Sequence, residues 1–326
     1  MADSFICVGN TTRTVSSSGT RSRRGLRVVS PSTGNDSNAK HLSKNPRRAE
    51  MNVTKIGRYE VESELATGGM GVIILAKDPY IQRQVVVKVL MYSRTLDEVY
   101  RDFFQNEAEI IAALEHPCIV PIYDFGWHGQ QPYIVMRYMS GGSLQDKIQK
   151  GELKMTEMAH ILKRVSDALD AAHAKGIIHR DIKPSNILFD SSGEAFLSDF
   201  GIATSKSFKD EEGEWLVGTP AYMSPEQVQG RQLTGRSDVY ALGVTLYRLL
   251  TGQLPYSGSS TTALINAHVE LPIPDIRTIK GNIPAVWQEV VAKAMAKDPG
   301  DRYATAGDFA RDINEVVSGK WFLRKL

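Results

Sequence analysis

Four polar side chains in the middle of the sequence have the types and the spacing for one kind of chemistry. They are Asp181, Lys183, Asn186 and Asp199, and all of them fall within 19 residues. Transfer of a phosphoryl group from a nucleotide needs a carboxylate that orients the accepting hydroxyl, a cation beside the moving phosphate and oxygen ligands for Mg²⁺. The four side chains supply each of these groups. Their spacing therefore favours phosphoryl transfer as the chemistry of this region.

Two motifs contain these side chains. Residues 179–186 read His-Arg-Asp-Ile-Lys-Pro-Ser-Asn, and residues 199–201 read Asp-Phe-Gly. Motifs of this kind, in this order, belong to the signature set of protein kinases. The chain resembles the serine/threonine protein kinases, and most closely their bacterial, eukaryotic-like (Hanks-type) branch. The resemblance covers about residues 59–317.

The resemblance implies an enzyme that transfers the γ-phosphate of ATP to Ser and Thr hydroxyls of protein substrates, and also to itself. Mg²⁺, or alternatively Mn²⁺, would be the metal. Asp181 would orient the substrate hydroxyl, and Lys183 would neutralise charge on the γ-phosphate. Asn186 and Asp199 would bind the metal, and Leu188 would lie in the nucleotide site.

A glycine-rich turn at residues 65–73 joins the first two predicted strands. Glycines let backbone N–H groups approach phosphate oxygens without a clash from Cβ. In the kinase pattern G-x-G-x-x-G-x-V, alanine takes the first glycine position here, and an ordinary hairpin is the alternative interpretation of the segment. The resemblance assigns to nucleotide binding Ala66, Thr67, Gly68, Gly69, Met70, Gly71 and Ile73.

A lysine and a glutamate are predicted to pair across the first lobe. Residues 85–88 match the Val-Ala-Ile-Lys strand of kinases, with Val86 in the alanine position and Lys88 in the lysine position. Glu107 lies on the apolar stripe of a predicted helix, where an unpaired carboxylate would carry a desolvation cost. We therefore expect Lys88 to be its partner, as in the kinase arrangement where the lysine binds the α- and β-phosphates. A purely structural surface pair is the alternative.

Residues 136–139 resemble the connection between the two lobes of a kinase, where backbone groups hold the adenine. Met136 would be the gatekeeper, and the backbone of Arg137 and Met139 would contact the base. Arg137 replaces the glutamate that is usual in the family. Ser143 would lie near the ribose.

Residues 201–218 resemble an activation segment, which ends in Gly-Thr-Pro-Ala-Tyr-Met-Ser-Pro-Glu at 218–226. The resemblance implies that Thr219 contacts the catalytic aspartate and lysine and that Glu226 pairs with Arg302. Asp238 either caps a helix or, as in kinases, anchors the backbone of the catalytic loop.

Control of the activation segment has two interpretations. Thr204, Ser205 and Ser207 are candidate phosphorylation sites. Four carboxylates stand within residues 210–214, where relatives usually carry threonines, and these carboxylates would partly replace phosphate in front of a cationic patch such as Arg180. A solvated acidic loop is the alternative.

Hydrophobic periodicity predicts strands first and helices afterwards. The predicted strands are 59–66, 72–76, 85–90, 119–125 and 133–136. One helix is predicted at 96–114, and further helices near 237–250, 284–296 and 305–317. Thr156 is the predicted N-cap of another helix, which carries Ile161 and Val165 on its apolar face. This order indicates an α+β protein.

The domain organisation follows from these elements and from composition. Residues 1–55 contain ten basic and three acidic residues and few apolar ones, which predicts a disordered basic tail; a targeting peptide or a docking arm is the alternative. The kinase resemblance implies a five-stranded antiparallel N-lobe with one helix at 56–138 and a larger, mainly helical C-lobe at 139–320. Residues 321–326 are a short basic and apolar segment that we expect to cap the last helix. Contact with a partner or a membrane surface is the alternative.

Composition excludes several classes of protein. The chain has 326 residues, 42% of them hydrophobic, and a net charge of +2, which gives no argument for nucleic acid as a partner. Cys7 and Cys118 are the only cysteines, and this favours a reducing compartment. No apolar run approaches the ~20 residues of a membrane-spanning helix, and the first 25 residues lack the pattern of a signal peptide. We therefore expect a cytoplasmic protein without a membrane anchor or a sensor domain after the kinase region.

Three functional interpretations are compared. The first is an active protein kinase, for which the oligomeric state is open and activation by dimerisation is an alternative. The second is a pseudokinase that acts as a scaffold or an allosteric ATP-binding regulator. Such proteins usually lose a catalytic residue, whereas this chain retains Lys88, Asp181 and Asp199. The third, a kinase for small molecules, fits poorly with the activation segment.

Overall fold

The computed structural model describes residues 54–68, 71–90, 98–151, 153–200, 207–209, 215–217 and 219–321. All of them belong to one compact unit, Asn52–Leu326. Residues 1–53 of the predicted tail lie outside the described residues. Gly69, Met70, Thr204 and Ser205 also lie outside them.

The first lobe is an antiparallel sheet with one helix. In the described residues the sheet has six strands in the order β1-β2-β3-β4-β6-β5. The strands are β1 (Lys55–Ile56), β2 (Tyr59–Gly68), β3 (Gly71–Asp78), β4 (Arg83–Leu90), β5 (Ile122–His128) and β6 (Gln131–Arg137). The helix is α1 (Glu98–Ala112), which falls within the predicted 96–114.

The prediction of five strands is wrong by one, because β1 adds a short sixth strand. β1 pairs with β2 through Lys55↔Glu60 and Ile56↔Tyr59. The turn between them needs a left-handed residue, supplied by Gly57 with φ +55°. A two-residue strand is too short to produce a period-two pattern in the sequence.

β5 begins later than the predicted strand 119–125. It starts at Ile122, whereas Ile119 forms an isolated parallel bridge with Leu197. Pro121 lies between the two and has no N–H to donate to a strand ladder. The proline therefore explains the displaced start.

Alternation along β4 decides which way Lys88 faces. Val85, Val87 and Val89 are buried in a cluster on one face of the sheet. Val86 and Leu90 are buried in the main core of the molecule, which also contains residues of α1. Because side chains alternate along a strand, Lys88 shares the face of Val86 and Leu90.

The second lobe is mainly helical. Its longer helices are α2 (Leu144–Lys150), α3 (Met155–His173), α5 (Gly235–Thr251), α6 (Thr261–Glu270), α8 (Ala285–Ala294) and α9 (Ala306–Val317). One-turn helices are α4 (Pro225–Val228) and α7 (Ile276–Ile279). Two short hairpins are β7 (Ile187–Phe189) with β8 (Ala195–Leu197), and β9 (Ser207–Lys209) with β10 (Trp215–Val217). Helices α5, α8 and α9 confirm the helices predicted near 237–250, 284–296 and 305–317.

The predicted N-cap of α3 is wrong. The helix begins at Met155, so Thr156 is already inside the first turn. The N-cap residue is Lys154, whose backbone is extended and whose side chain makes no capping hydrogen bond. The helix therefore begins without a capping side chain. The apolar face of α3, with Ile161 and Val165, is buried as predicted.

Candidate active site

The catalytic loop at residues 179–186 is anchored by a buried carboxylate of α5. Asp238 is 1% exposed and accepts hydrogen bonds from the backbone N–H groups of His179 and Arg180, both at 2.9 Å. His173 of α3 lies 2.7 Å from the same carboxylate through Nε2. Thr234, not Asp238, is the N-cap of α5. The interpretation of Asp238 as a helix cap is therefore wrong, and the anchoring contact is present.

Asp181 and Lys183 meet at one hydroxyl group. Thr219 Oγ1 donates to Asp181 Oδ1 at 2.7 Å and accepts from Lys183 Nζ at 2.6 Å. Lys183 Nζ also lies 3.0 Å from Asp181 Oδ2. The predicted contacts of Thr219 are therefore present. A carboxylate and an ammonium group can hold a hydroxyl between them here.

The side-chain amide of Asn186 is oriented by the backbone and the carboxylate of Asp181. Asn186 Nδ2 donates to the Asp181 carbonyl at 2.8 Å and to Asp181 Oδ2 at 3.1 Å. Nδ2 and Oδ1 are the two branches of one planar amide, so Oδ1 faces away from these acceptors. A carbonyl oxygen in this position is a hard ligand of the kind that Mg²⁺ prefers.

Asp199 is held in an unusual backbone conformation and paired with Lys88. Three described residues other than glycine have positive φ, and two of them are Arg180 (+67°) and Asp199 (+61°). Such residues are uncommon and concentrate at functional sites. Lys88 Nζ forms a salt bridge with Asp199 Oδ1. The pairing of Lys88 with Glu107, which is half-buried on α1, stays a prediction.

The donor set fits a divalent cation. Asp199 supplies a carboxylate and Asn186 an amide oxygen, and such oxygen ligands bind Mg²⁺ together with substrate phosphates rather than in an all-protein cage. The described residues contain no group of three or more His, Cys, Asp or Glu that would form such a cage. The two residues therefore fit a metal that arrives with a phosphorylated ligand.

A cleft of about 400 Å³ lies between the sheet and the second lobe. Most of the predicted nucleotide-site residues line it, namely Ala66, Ile73, Val86, Lys88, Met136, Arg137, Met139, Ser143 and Leu188, and so does the predicted metal ligand Asp199. Thr67 and Gly68 do not line it and lie on the exposed end of β2. Gly71 is needed for packing, since a Cβ there would lie 2.0 Å from the carbonyl oxygen of Val89.

The sequence interpretation missed several residues of the cleft, including Leu65, Tyr138, Asp146 and Ser185. Asp146 had a detectable signal, because it stands three residues after Ser143 as in a capping box. The structure contains that box, with Asp146 accepting from the Ser143 backbone at 2.8 Å and from its hydroxyl at 2.7 Å. Both hydrogen bonds lower the pKa of Asp146, and the bond from the Ser143 hydroxyl has the larger effect.

A contact between two aromatic rings connects the catalytic loop to the segment that follows Asp199. His179 and Phe200 are buried with their ring centroids 4.7 Å apart. His179 Nε2 lies 2.9 Å from the carbonyl oxygen of Ser198. The loop that carries Asp181 and the segment that carries Asp199 are thereby fixed to each other.

The end of the activation segment is fixed by a buried ion pair. Arg302 donates to both carboxylate oxygens of Glu226, at 2.7 and 2.8 Å, and its side chain is 0% exposed. Burial is the largest influence on Glu226 and raises its pKa, but the hydrogen bonds and charge of Arg302, together with hydrogen bonds from Ser237 and the backbone, bring the net pKa below its usual value. The predicted pair is present. Ser207 begins β9, and Thr204 and Ser205 lie outside the described residues.

The fold and the site define a protein kinase. Residues 59–322 match the protein kinase domain family, so the chain belongs to that family. The chain is 38% identical over 259 residues to the serine/threonine-protein kinase PrkC of Bacillus subtilis (strain 168). The matched region covers 79% of this chain and 40% of PrkC. It is 39% identical over 269 residues to the serine/threonine-protein kinase PknE of Mycobacterium tuberculosis (strain H37Rv). The matched region covers 81% of this chain and 47% of PknE.

A solved structure shows the same fold. The crystal structure of the Mycobacterium tuberculosis PknI kinase domain matches with a TM-score of 0.65 and 29% sequence identity, over 80% of this chain and 97% of that domain. The chain spans less than half the length of the curated relatives named above. In the part of the chain that the structure describes, no helix is long and apolar enough to cross a membrane.

Proposed function

We propose that this chain is an active serine/threonine protein kinase, which transfers the γ-phosphate of ATP to Ser and Thr hydroxyls of protein substrates and of itself. One observation carries the proposal: Asp181 and Lys183 bind the hydroxyl of Thr219 from two sides, at 2.7 and 2.6 Å. A general base must lie within hydrogen-bond reach of the proton that it accepts. A substrate hydroxyl would need the same pair of contacts.

The roles of the side chains follow from their charge and position. Asp181 would orient the hydroxyl and accept its proton, and Lys183 would offset charge that develops on the transferred phosphate. Lys88 would leave Asp199 for the α- and β-phosphates, because these two groups together carry about two negative charges and the carboxylate carries one. Asn186 and Asp199 would hold Mg²⁺ or Mn²⁺. The metal, when bound, neutralises phosphate charge during transfer.

The adenine would lie against the connection between the lobes. Arg137 N–H already donates to the carbonyl of Pro121 at 3.0 Å. We assign base recognition to the Arg137 carbonyl and the Met139 N–H, beneath Met136 as gatekeeper. Ala66, Ile73, Val86 and Leu188 would enclose the ring, and Ser143 would contact the ribose. Gly68, Gly69, Met70 and Thr67 would cover the phosphates, as the family resemblance implies.

Regulation is also a proposal. Arg180 Nε is buried and has no hydrogen-bond partner among the described residues. An anionic group of the activation segment would satisfy it, either a phosphate on Thr204, Ser205 or Ser207 or a carboxylate from residues 210–214. We expect a cytoplasmic location, where ATP is available, and protein substrates as partners.

The test is incubation of the purified chain with Mg²⁺, γ-labelled ATP and a generic basic protein, followed by phosphoamino-acid analysis. Label on Ser and Thr is expected. Asp181→Asn, prepared in parallel, shows whether a contaminating kinase is responsible. ATP binding without transfer would indicate the pseudokinase instead, and label on a metabolite alone would indicate a small-molecule kinase.

A further inference from the structure

The side chain of Arg137 reaches from the sheet of the first lobe to the second lobe. Arg137 is the last residue of β6, and its guanidinium lies 3.5 Å from Asp190 Oδ2. It also lies over the ring of Phe196 in β8, 5.2 Å from the ring centroid. Both partners belong to the β7–β8 hairpin of the second lobe.

A second guanidinium lies over the same ring. Arg164 of α3 is 5.3 Å from the centroid of Phe196. Its Nε donates to the carbonyl of Ala195 at 2.9 Å and lies 3.1 Å from Glu194 Oε2. Each arginine thus has its own carboxylate, which offsets the repulsion between two cations on one aromatic ring. Cations within about 6 Å of a ring centroid are attracted by its quadrupole.

The turn that supplies the carboxylates is itself fixed. Asp190 Oδ1 accepts from the backbone N–H and the hydroxyl of Ser192, at 2.9 and 2.6 Å, and from the N–H of Glu194 at 3.1 Å. The hydrogen bond from the Ser192 hydroxyl is the main reason that the pKa of Asp190 is low. Asp190 is therefore a permanent counter-charge for Arg137 near neutral pH.

The connection between the lobes is held at both ends as a result. At its far end, Gly141 N–H donates to the carbonyl of Phe189 at 2.8 Å, and Phe189 N–H donates to the carbonyl of Gly142 at 2.9 Å. At its near end, the Arg137 side chain attaches it to the second lobe. The backbone from Arg137 to Met139, which lines the cleft, lies between these two attachments.

We propose that Arg137, Phe196 and Arg164, with Asp190 and Glu194 as counter-charges, form a hinge clamp that positions the backbone of residues 137–139 for the nucleotide. The hinge clamp rests on the proposed function for its ligand. Arg137 is a positioning residue here, because its side chain acts through the backbone and not on the reacting atoms. The family pattern has glutamate at this position, whose charge Asp190 would repel, so the clamp is a property of this chain's own residues.

The first test measures Mg·ATP affinity by calorimetry, and KM and kcat by phosphorylation assay, in Arg137→Ala, Phe196→Leu and the double variant. We expect each single variant to bind ATP about three- to tenfold more weakly, on the scale of one cation–π contact and one exposed ion pair, with kcat little changed. The two substitutions disrupt the same clamp, so their effects should not add. The affinity of the double variant should lie within about twofold of the affinity of the single variant that binds ATP less well. Arg137→Lys, which keeps the charge but not the planar face, should retain part of the affinity.

Arg83→Ala is the matched control. Its guanidinium lies 3.4 Å from the ring centroid of Tyr123 on the sheet of the first lobe. Arg83 is two residues from Val85, which pairs with Arg137 in the sheet. The substitution therefore removes a contact of the same type close to the connection, but one that joins two strands of the same lobe, and ATP affinity should not change. Wild-type affinity in Arg137→Ala, or additive losses in the double variant, would overturn the proposal.

A second measurement does not depend on nucleotide. Amide hydrogen exchange at residues 137–142 of the full chain, without ATP, should accelerate in Arg137→Ala and stay unchanged in Arg83→Ala. Equal exchange in Arg137→Ala and wild type would refute the hinge clamp. A wild-type chain that binds no ATP would instead refute the proposed kinase function, and the exchange result would still decide on the clamp.

Discussion

The two walls of the cleft differ in how firmly they hold their polar groups. On the wall formed by the second lobe, Asp181 and Asn186 are each 4% exposed and hydrogen-bond each other, and Asp238 fixes the loop from beneath. On the wall formed by the sheet, the end of β2 is exposed from Ser63 to Gly68. Lys88 depends for its salt bridge on Asp199 of the other wall.

This difference matches what the proposed function requires of each wall. Groups that act on the reacting atoms need fixed positions, because small displacements cost a large part of the rate. A strand that covers a nucleotide has to admit and release it, which favours exposure and few fixed contacts. Substitutions on the two walls should therefore differ in how strongly they lower activity.

The largest effect is expected on the second-lobe wall. Asp181→Asn and Asp199→Ala should each lower turnover by at least ~100-fold, since one loses the base and the other a metal ligand. Both variants should remain folded. Turnover in the presence of Mg²⁺ checks both, and near-normal activity in either variant contradicts the assigned role.

Lys88→Met should come next, with a loss of about 100-fold in phosphoryl transfer. The domain should remain folded, because the lysine faces the cleft. Circular dichroism and a transfer assay test this, and Lys163→Met serves as control, since that lysine forms only an exposed pair with Asp167. Unchanged transfer in Lys88→Met would mean that another cation binds the phosphates.

Asp238→Asn tests the anchoring beneath the catalytic loop. Asparagine offers one acceptor oxygen and a donor NH₂ group, so one of the backbone N–H groups of His179 and Arg180 would lose its partner. We expect the free energy of unfolding to fall by about 1.5–3 kcal/mol and turnover to fall with it. Chemical denaturation measures the change. Asp167→Asn, which removes one exposed pair, should cost no more than about 0.5 kcal/mol; equal losses in the two variants would remove the special role of Asp238.

The smallest effect is expected in the activation segment. Replacement of the carboxylates at Asp210, Glu211, Glu212 and Glu214 by Asn or Gln should slow the dephosphorylated enzyme about two- to fivefold, because a carboxylate carries less charge than a phosphate and substitutes for it only in part. Phosphatase treatment of the wild type is the decisive comparison. An inactive dephosphorylated enzyme that recovers after a lag with ATP would show that phosphorylation is required first.

The sequence by itself determined which polar side chains lie together on the second-lobe wall. Asp181, Lys183 and Asn186 lie within six residues of one short loop, and so any fold that forms the loop brings them together. The order of strands and helices was also readable, because β-branched runs and helical periodicity are local properties of the chain.

Only the tertiary structure decided the contacts between distant segments. The salt bridge of Lys88 with Asp199 and the position of Asp238 against the catalytic loop both depend on packing between parts of the chain that are not neighbours in sequence. Arg137 shows the reason most clearly. In the sequence it is a substitution in the connection between the lobes, and only folding places its side chain on Phe196 and Asp190, more than 50 residues away.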